Sequence, residues 1–200
     1  MDLSKIQNHF YPYRVLDIGA NIGQFRTEFS QVYPNSYVFS IEASEECQPF
    51  LSKITNDYYI GMLAKDNKKY DFYSRKNDLT CTGNSIYRET TPFYSDEHIQ
   101  ITEKDGIMLD DLFSEDSIFD LIKIDTQGSE IDIMVGGRKL CLNTRGILLE
   151  VSFNEYNKGA PLYKDVIQYM ESINFTPKDI LDESRNHGSH QQDILFINEN

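Results

Sequence analysis

Val15-Leu16-Asp17-Ile18-Gly19-Ala20-Asn21-Ile22-Gly23 is the stretch from which the fold can be read. A short apolar run reaches an aspartate, then two glycines four residues apart, and a helical pattern starts at once with Phe25, Phe29 and Val32 on one face. This predicts a buried strand, Arg14 to Ile18, that ends in a tight turn. Glycine at positions 19 and 23 would let backbone come close to a ligand. The helix that follows would direct its free N–H groups at whatever the turn holds.

The same rhythm repeats along the chain. Pro34-Asn35 stops the first helix, and Tyr37 to Ile41 reads as a second strand, apolar enough to be buried on both faces, ending at Glu42. Ser44 is placed to cap a helix whose first turn carries Glu45 and Glu46 and whose apolar face is Phe50, Leu51 and Ile54. Tyr58 to Leu63 reads as a third strand, Asp66 to Lys69 as a turn, and Tyr70 to Tyr73 as extended chain. Farther on, His98 to Thr102 predicts a strand and Leu109 to Phe113 a helical turn. Phe119 to Asp125 is a second strong strand, broken at Thr126-Gln127-Gly128, with Ser129 capping a helix that runs to Val135-Gly136. Gly146 to Val151 is another buried strand. Leu162, Val166, Ile167, Met170 and Ile173 then mark an amphipathic helix, and two strands from Phe175 onward flank a polar loop, Asp182 to Gln192. Alternating strands and helices predict an α/β fold with a parallel sheet covered on both faces, in one domain over residues 1–200. Ser4 to Tyr13 is a polar and aromatic lead-in. Residues 74–95 lose all periodicity and read as a surface loop or as a substrate loop or lid, with Arg75, Lys76, Tyr87, Arg88, Phe93 and Tyr94 available to stack on and hydrogen-bond an acceptor.

Composition narrows the function. The 200 residues carry a formal net charge of -13, and Lys and Arg form no basic stripe. That disfavours a phosphate backbone or an anionic membrane surface as partner. Cys47, Cys81 and Cys141 are far apart and show no paired-ligand spacing, so reduced thiols and no metal site are expected. No apolar run is long enough for a signal peptide or a membrane span, and a cytoplasmic protein is the expectation.

In open sheets of this kind a ligand lies at the carboxyl ends of the strands. Asp17, Glu42, Asp125 and Glu150 all fall at or near such ends. Glu42, roughly twenty residues past the glycine turn, is where a carboxylate can accept both hydrogen bonds from a ribose diol. Nicotinamide dinucleotides use the same geometry, but they want a middle glycine where this chain has Asn21, and Asp17 would repel a pyrophosphate. An acidic edge suits a cationic, phosphate-free nucleoside, and S-adenosylmethionine meets that description.

Asp17 to Gly23, Glu42, Leu109-Asp110-Asp111-Leu112 and Ile124-Asp125-Thr126-Gln127-Gly128-Ser129-Glu130, in this order, resemble the FkbM family of S-adenosylmethionine-dependent methyltransferases. The likeness runs from Val15 to Val151, and Gln127 stands where the family usually has Glu. The resemblance implies a class I methyltransferase (Rossmann-like) fold, with a mostly parallel, doubly wound seven-stranded sheet. It also implies O-methylation of a hydroxyl on a small molecule or glycan. Carried over residue by residue, Asp17, Gly19, Ala20, Asn21, Gly23, Glu42 and Ala43 would hold the cofactor, with Asp125 at the mouth of the site. A hydroxyl nucleophile must lose a proton, and Asp125 is the first candidate to accept it, followed by Glu130, Glu150, His187 and His190. Two other readings stand beside this one: an NAD-type oxidoreductase, and a binding module that keeps the pocket without transferring methyl groups.

Overall fold

The computed structural model describes residues 1–78, 81–114, 116–184 and 190–199. Its strands, in chain order, are β1 (Arg14–Ile18), β2 (Tyr37–Glu42), β3 (Tyr58–Ile60), β4 (Met62–Leu63), β5 (Lys69–Arg75), β6 (Ile99–Ile107), β7 (Leu121–Ile124), β8 (Gly146–Ser152), β9 (Phe175–Ser184) and β10 (Gln191–Asn198). Its α-helices are α1 (Gln24–Val32), α2 (Gln48–Ile54), α3 (Leu109–Leu112), α4 (Glu130–Gly136), α5 (Arg138–Leu142) and α6 (Tyr163–Ser172). Seven strands form one sheet in the order β3-β2-β1-β7-β8-β10-β9. All neighbours are parallel except β10, which runs antiparallel to both β8 and β9. The order turns outward at β1 and β7, so a crevice opens between the loops that leave those two strands.

Alternation along each strand sends side chains to two separate cores. Leu16 and Ile18 of β1, Ile122 and Ile124 of β7, and Ile147 and Leu149 of β8 pack with α4, α5 and α6. Val15, Leu121 and Leu148 face the other way, against Phe25, Phe29 and Tyr33 at and just past α1. Full burial of side chains of this size contributes about 1.5–3 kcal/mol each. The lead-in at Ser4 to Tyr13 has a larger part than its polarity suggests. A 3-10 helix over Leu3–Asn8 buries Leu3 and Ile6 in the second core, and Tyr33 donates its hydroxyl to the Leu3 carbonyl at 2.8 Å.

Three expectations change. The strand expected from Tyr58 to Leu63 breaks at Gly61, whose N–H donates to the Glu42 carbonyl at 2.8 Å. Its second half, β4, joins a separate sheet of order β4-β6-β5. β6 runs well past Thr102, to Ile107, paired antiparallel with β5. After Ile101 the strand continues through Thr102, Glu103, Lys104 and Asp105, so its apolar signal is short. Neither Ser44 nor Ser129 caps a helix with its side chain. Ser44 precedes a 3-10 turn at Glu45–Cys47, and the Ser129 hydroxyl donates to the Thr126 carbonyl at 3.3 Å.

Candidate functional site

A cavity of about 630 Å³ lies over the carboxyl ends of β1, β2, β7 and β8, a size suited to a small-molecule ligand. Its near wall is the turn after β1. There Gly19, Asn21 and Gly23 alternate in the left-handed region, with φ of 76°, 49° and 87°. Asn21 tolerates this conformation better than most side chains. Its N–H donates to Glu42 Oε2 at 2.7 Å, while the Ser44 N–H donates to Glu42 Oε1 at 2.8 Å. The Glu42 carboxylate is therefore fixed at the end of β2, where it lines the cavity. Burial pushes its pKa up, against backbone hydrogen bonds from Ser44, Asn21 and Ala43 that favour the anion.

The glycines also answer a packing demand. A Cβ on Gly19 would sit 1.8 Å from the Asp125 carbonyl oxygen, and one on Gly23 would sit 2.3 Å from Ile54 Cδ1. At both positions a side chain would meet protein atoms, at a φ that itself favours glycine. Gly19 lets the ends of β1 and β7 cross, and Gly23 lets α1 start beside α2.

Asp17 is moved out of the site. It shares its strand face with Val15, so the pleat turns it inward beneath α1, where it is fully buried. The cation it faces belongs to the chain: Lys123 Nζ lies 3.5 Å from Asp17 and 3.4 Å from Asp125, and it donates to the Gly19 carbonyl at 3.2 Å. Burial works against the Lys123 charge, but Asp125 and Asp17 outweigh it, so the ammonium holds its proton more tightly than a free lysine. Phe25 lies beneath the ammonium, its ring centroid 5.5 Å away. The electrostatic case for a cationic ligand accordingly rests on Glu42, Asp125 and Glu150 rather than on Asp17.

The far wall forms around Asp125, at the end of β7. Gln127, with φ of 56°, turns its amide back so that Nε2 donates to Asp125 Oδ1 at 3.1 Å and to Glu150 Oε2 at 2.6 Å. Gln191 Nε2 adds a second donation to that Glu150 oxygen at 2.8 Å. Glu130 is not part of this wall. Its Oε1 accepts from the Thr126 N–H at 2.9 Å, the Thr126 hydroxyl at 3.2 Å and the Gly128 N–H at 3.1 Å, so it braces the turn from inside. A carboxylate so engaged, and buried at 5% exposure, is a poor candidate to take a proton from a ligand. His190 pairs with Glu183 at 3.0 Å and stacks on Phe153, away from the described lining, and His187 lies outside the described residues.

Residues 81–86, with Glu89, Phe93 and Tyr94, cross the open side of the cavity. Two clasps hold them. The Ser85 hydroxyl donates to the Thr126 and Gln127 carbonyls at 3.0 and 2.9 Å. At the other end Asn21 Nδ2 reaches the Cys81 carbonyl at 3.4 Å, and Asn84 Nδ2 reaches the Ser44 hydroxyl at 3.4 Å. Of the basic and aromatic residues expected to face an acceptor, Arg75, Phe93 and Tyr94 line the cavity. Tyr87 instead binds Asp132 at 2.9 Å, and Arg88 pairs with Asp96 at 2.7 Å. Of the expected cofactor residues, Gly19, Ala20, Asn21, Glu42, Ala43 and Asp125 line the cavity, whereas Asp17 and Gly23 support it from behind.

The sequence reading missed Lys123, Gln191, Tyr156 and Glu89. For Lys123 a signal existed, because a lysine inside the apolar run Leu121 to Ile124 requires a buried counter-charge. The other three come from segments far apart in the chain, and nothing local marks them. Among the described residues no helix is long and apolar enough to cross a membrane.

Known proteins share this fold. Residues 17–177 match the methyltransferase FkbM domain. The chain is 25% identical over 173 residues to the 2-O-methyltransferase NoeI of Sinorhizobium fredii, covering 80% of this chain and 71% of that protein. Among solved structures it is similar to methyltransferase FkbM of Methylobacillus flagellatus, with a TM-score of 0.58 and 15% identity, covering 92% of this chain. The match spans only 43% of that longer protein. The magnesium protoporphyrin IX methyltransferase of Synechocystis, solved with bound S-adenosylmethionine, has a TM-score of 0.55 and 10% identity over 98% of this chain and 74% of its own. The shared fold is that of class I methyltransferases.

Proposed function

This chain belongs to the FkbM family of methyltransferases, and on that premise we propose that it moves a methyl group from S-adenosylmethionine to a hydroxyl of a small molecule or glycan. The observation that carries this reading is the Glu42 carboxylate, held beside the glycine turn by the Asn21 and Ser44 N–H groups. A carboxylate so placed suits a ribose diol. The Asn21 N–H is spent on Glu42, so the turn offers no amide cradle of the dinucleotide kind. The residues present therefore fit a phosphate-free nucleoside better than a pyrophosphate. Gly19, Ala20, Asn21, Glu42, Ala43 and Asp125 would hold this cofactor, whose sulfonium supplies an activated methyl group.

For the chain's own residues, the work is positioning and proton handling. The Asp125–Gln127–Glu150 wall would receive the acceptor hydroxyl, and residues 81–94 would cover the acceptor and keep water out. The hydroxyl part of the reading draws on the relative NoeI, a 2-O-methyltransferase. It draws also on the mix of carboxylates, amides and aromatic rings in the far half of the cavity.

The test is titration calorimetry of the full chain with S-adenosylhomocysteine, followed by transfer of labelled methyl from S-adenosylmethionine to a panel of sugars. Binding in the micromolar range and an O-methyl product seen by NMR are expected. Absence of binding at high micromolar concentration would sink the cofactor assignment, and stabilisation by NAD instead would restore the oxidoreductase reading. Binding without transfer to any extract would favour a non-catalytic module.

A further inference from the structure

Two carboxylates from adjacent strand ends line the far half of the cavity, and they are equipped differently. Asp125 has a cation: its Oδ2 lies 3.4 Å from Lys123 Nζ, and its Oδ1 accepts the Gln127 amide at 3.1 Å. Glu150 has no cation within ion-pair distance among the described residues. Both of its hydrogen bonds, from Gln127 at 2.6 Å and Gln191 at 2.8 Å, fall on Oε2, and Oε1 accepts none among the described residues. One oxygen is thus fixed by two neutral amides, and the other is left for a ligand.

The amides are themselves held in place. Gln127 sits in the left-handed region, which carries a cost for any residue with a side chain, and the Ser85 hydroxyl fixes its carbonyl at 2.9 Å. Gln191 follows the β9–β10 connection and is opposite Ser152 in the ladder, two residues from the Asp193–Glu150 pair. The groups around Glu150 come from four elements. They are Asp125 and Lys123 of the β7 segment, Glu130 of α4, Asp193 of β10 and Tyr156 in the segment after β8. Burial, followed by the charges of Asp125, Asp193 and Glu130, raises the proton affinity of Glu150 well above the usual glutamate range, with Lys123 opposing.

We propose that Glu150, with Gln127 and Gln191 as the positioning residues that fix its carboxylate, accepts the proton of the acceptor hydroxyl, while Asp125 is tied to Lys123. This assignment rests on the methyltransferase reading above and divides labour within its far wall. The acceptor O–H bond breaks and its proton passes to Glu150 Oε1. The oxygen lone pair forms the new bond to the methyl carbon, and the electron pair of the carbon–sulfur bond returns to sulfur. The proton then leaves Glu150 for water. A base with raised proton affinity is matched to a reaction run near neutral pH.

The assignment can be tested before the acceptor is known. Carboxyl ¹³C NMR titration of the full chain saturated with S-adenosylhomocysteine is followed in the native protein and in Glu150→Gln, Asp125→Asn and Asp193→Asn. Glu150→Gln should remove a resonance that titrates well above the glutamate range. Asp125→Asn should keep that resonance and move it to lower pH, because a neighbouring negative charge is lost. Gln127→Leu, checked for folding by its melting curve, should shift it too. If the resonance lost in Glu150→Gln titrates in the ordinary glutamate range, the proposal is overturned. The same holds if the high-titrating resonance disappears in Asp125→Asn. With a sugar that accepts labelled methyl, Glu150→Gln should lower the rate at pH 7 about 100-fold or more while cofactor affinity is retained. A rate within threefold of native overturns the proposal. Failure of the native protein to bind S-adenosylhomocysteine strikes the parent reading instead, and calorimetry on the same sample separates the two.

Discussion

The two halves of the cavity are built on different principles. The near half, from Gly19 to Ala43, comes from two consecutive strand ends, and its key contacts, Asn21 to Glu42 and Ser44 to Glu42, are between backbone N–H groups and one carboxylate. The far half brings together residues 81–94, Asp125, Gln127, Glu150 and Gln191, and its contacts are made by side chains, to one another and, from Ser85, to the Thr126 and Gln127 carbonyls. Backbone contacts change little when the sequence varies, whereas side-chain contacts can be exchanged one at a time. On the proposed reading, this division suits a near half that holds the cofactor and a far half that receives the acceptor. Lys123 belongs to both halves, since it touches Gly19, Asp17 and Asp125.

Replacing Lys123 should therefore have the largest effect. Lys123→Met leaves Asp17 buried without a cation and should cost about 3–5 kcal/mol in chemical denaturation. Adding Asp17→Asn should recover much of that loss, and no recovery would show that the lysine acts elsewhere. Gly19→Ala attacks the crossing of the two halves. Its Cβ would fall 1.8 Å from the Asp125 carbonyl oxygen at a φ of 76°. A loss of roughly 3 kcal/mol and of S-adenosylhomocysteine binding is expected.

The next two changes separate the halves. Glu42→Gln should leave the fold intact and weaken S-adenosylhomocysteine about 10- to 100-fold by calorimetry, the range for a hydrogen bond to a charged group. Ser85→Ala should do the reverse. It releases residues 81–94 from the Thr126 and Gln127 carbonyls, costs about 1 kcal/mol in stability, and leaves cofactor affinity within twofold. If both variants weaken the cofactor alike, the division between the halves is wrong.

The smallest effect sharpens the contrast through pH. Burial, with help from Asp125, pushes Asp193 from 3.8 up to about 7. A carboxyl whose folded value is raised contributes stability that is fully present below its unfolded value and is lost as pH rises through its folded value. Native stability should thus fall between pH 4 and 7. Asp193→Asn should flatten that slope by on the order of 1 kcal/mol, because solvent screening reduces the effect at a partly exposed group. An unchanged slope in melts at pH 4, 5.5 and 7 would assign the titration to another group.

The alternation of Val15 to Ile18, Tyr37 to Glu42 and Leu121 to Ile124 with helical patterns sufficed to read the parallel sheet. The ordered blocks at Asp17, Glu42 and Asp125 sufficed to read the family. These signals are local, since strand burial, turn chemistry and motif spacing are written in consecutive residues. The structure alone decided on which side of the sheet each acid lies. Pleating sends Asp17 beneath α1 to meet Lys123, and a turn brace takes Glu130 out of the cavity. It also decided which distant segments meet there. Gln127 and Gln191 converge on one oxygen of Glu150 because β7, β8 and β10 are neighbours in the sheet, although Gln191 lies 41 positions from Glu150 in the chain. A linear pattern specifies which strands form and which of their residues are apolar. The contacts between polar side chains depend on strand order and register, which appear only once the sheet is assembled.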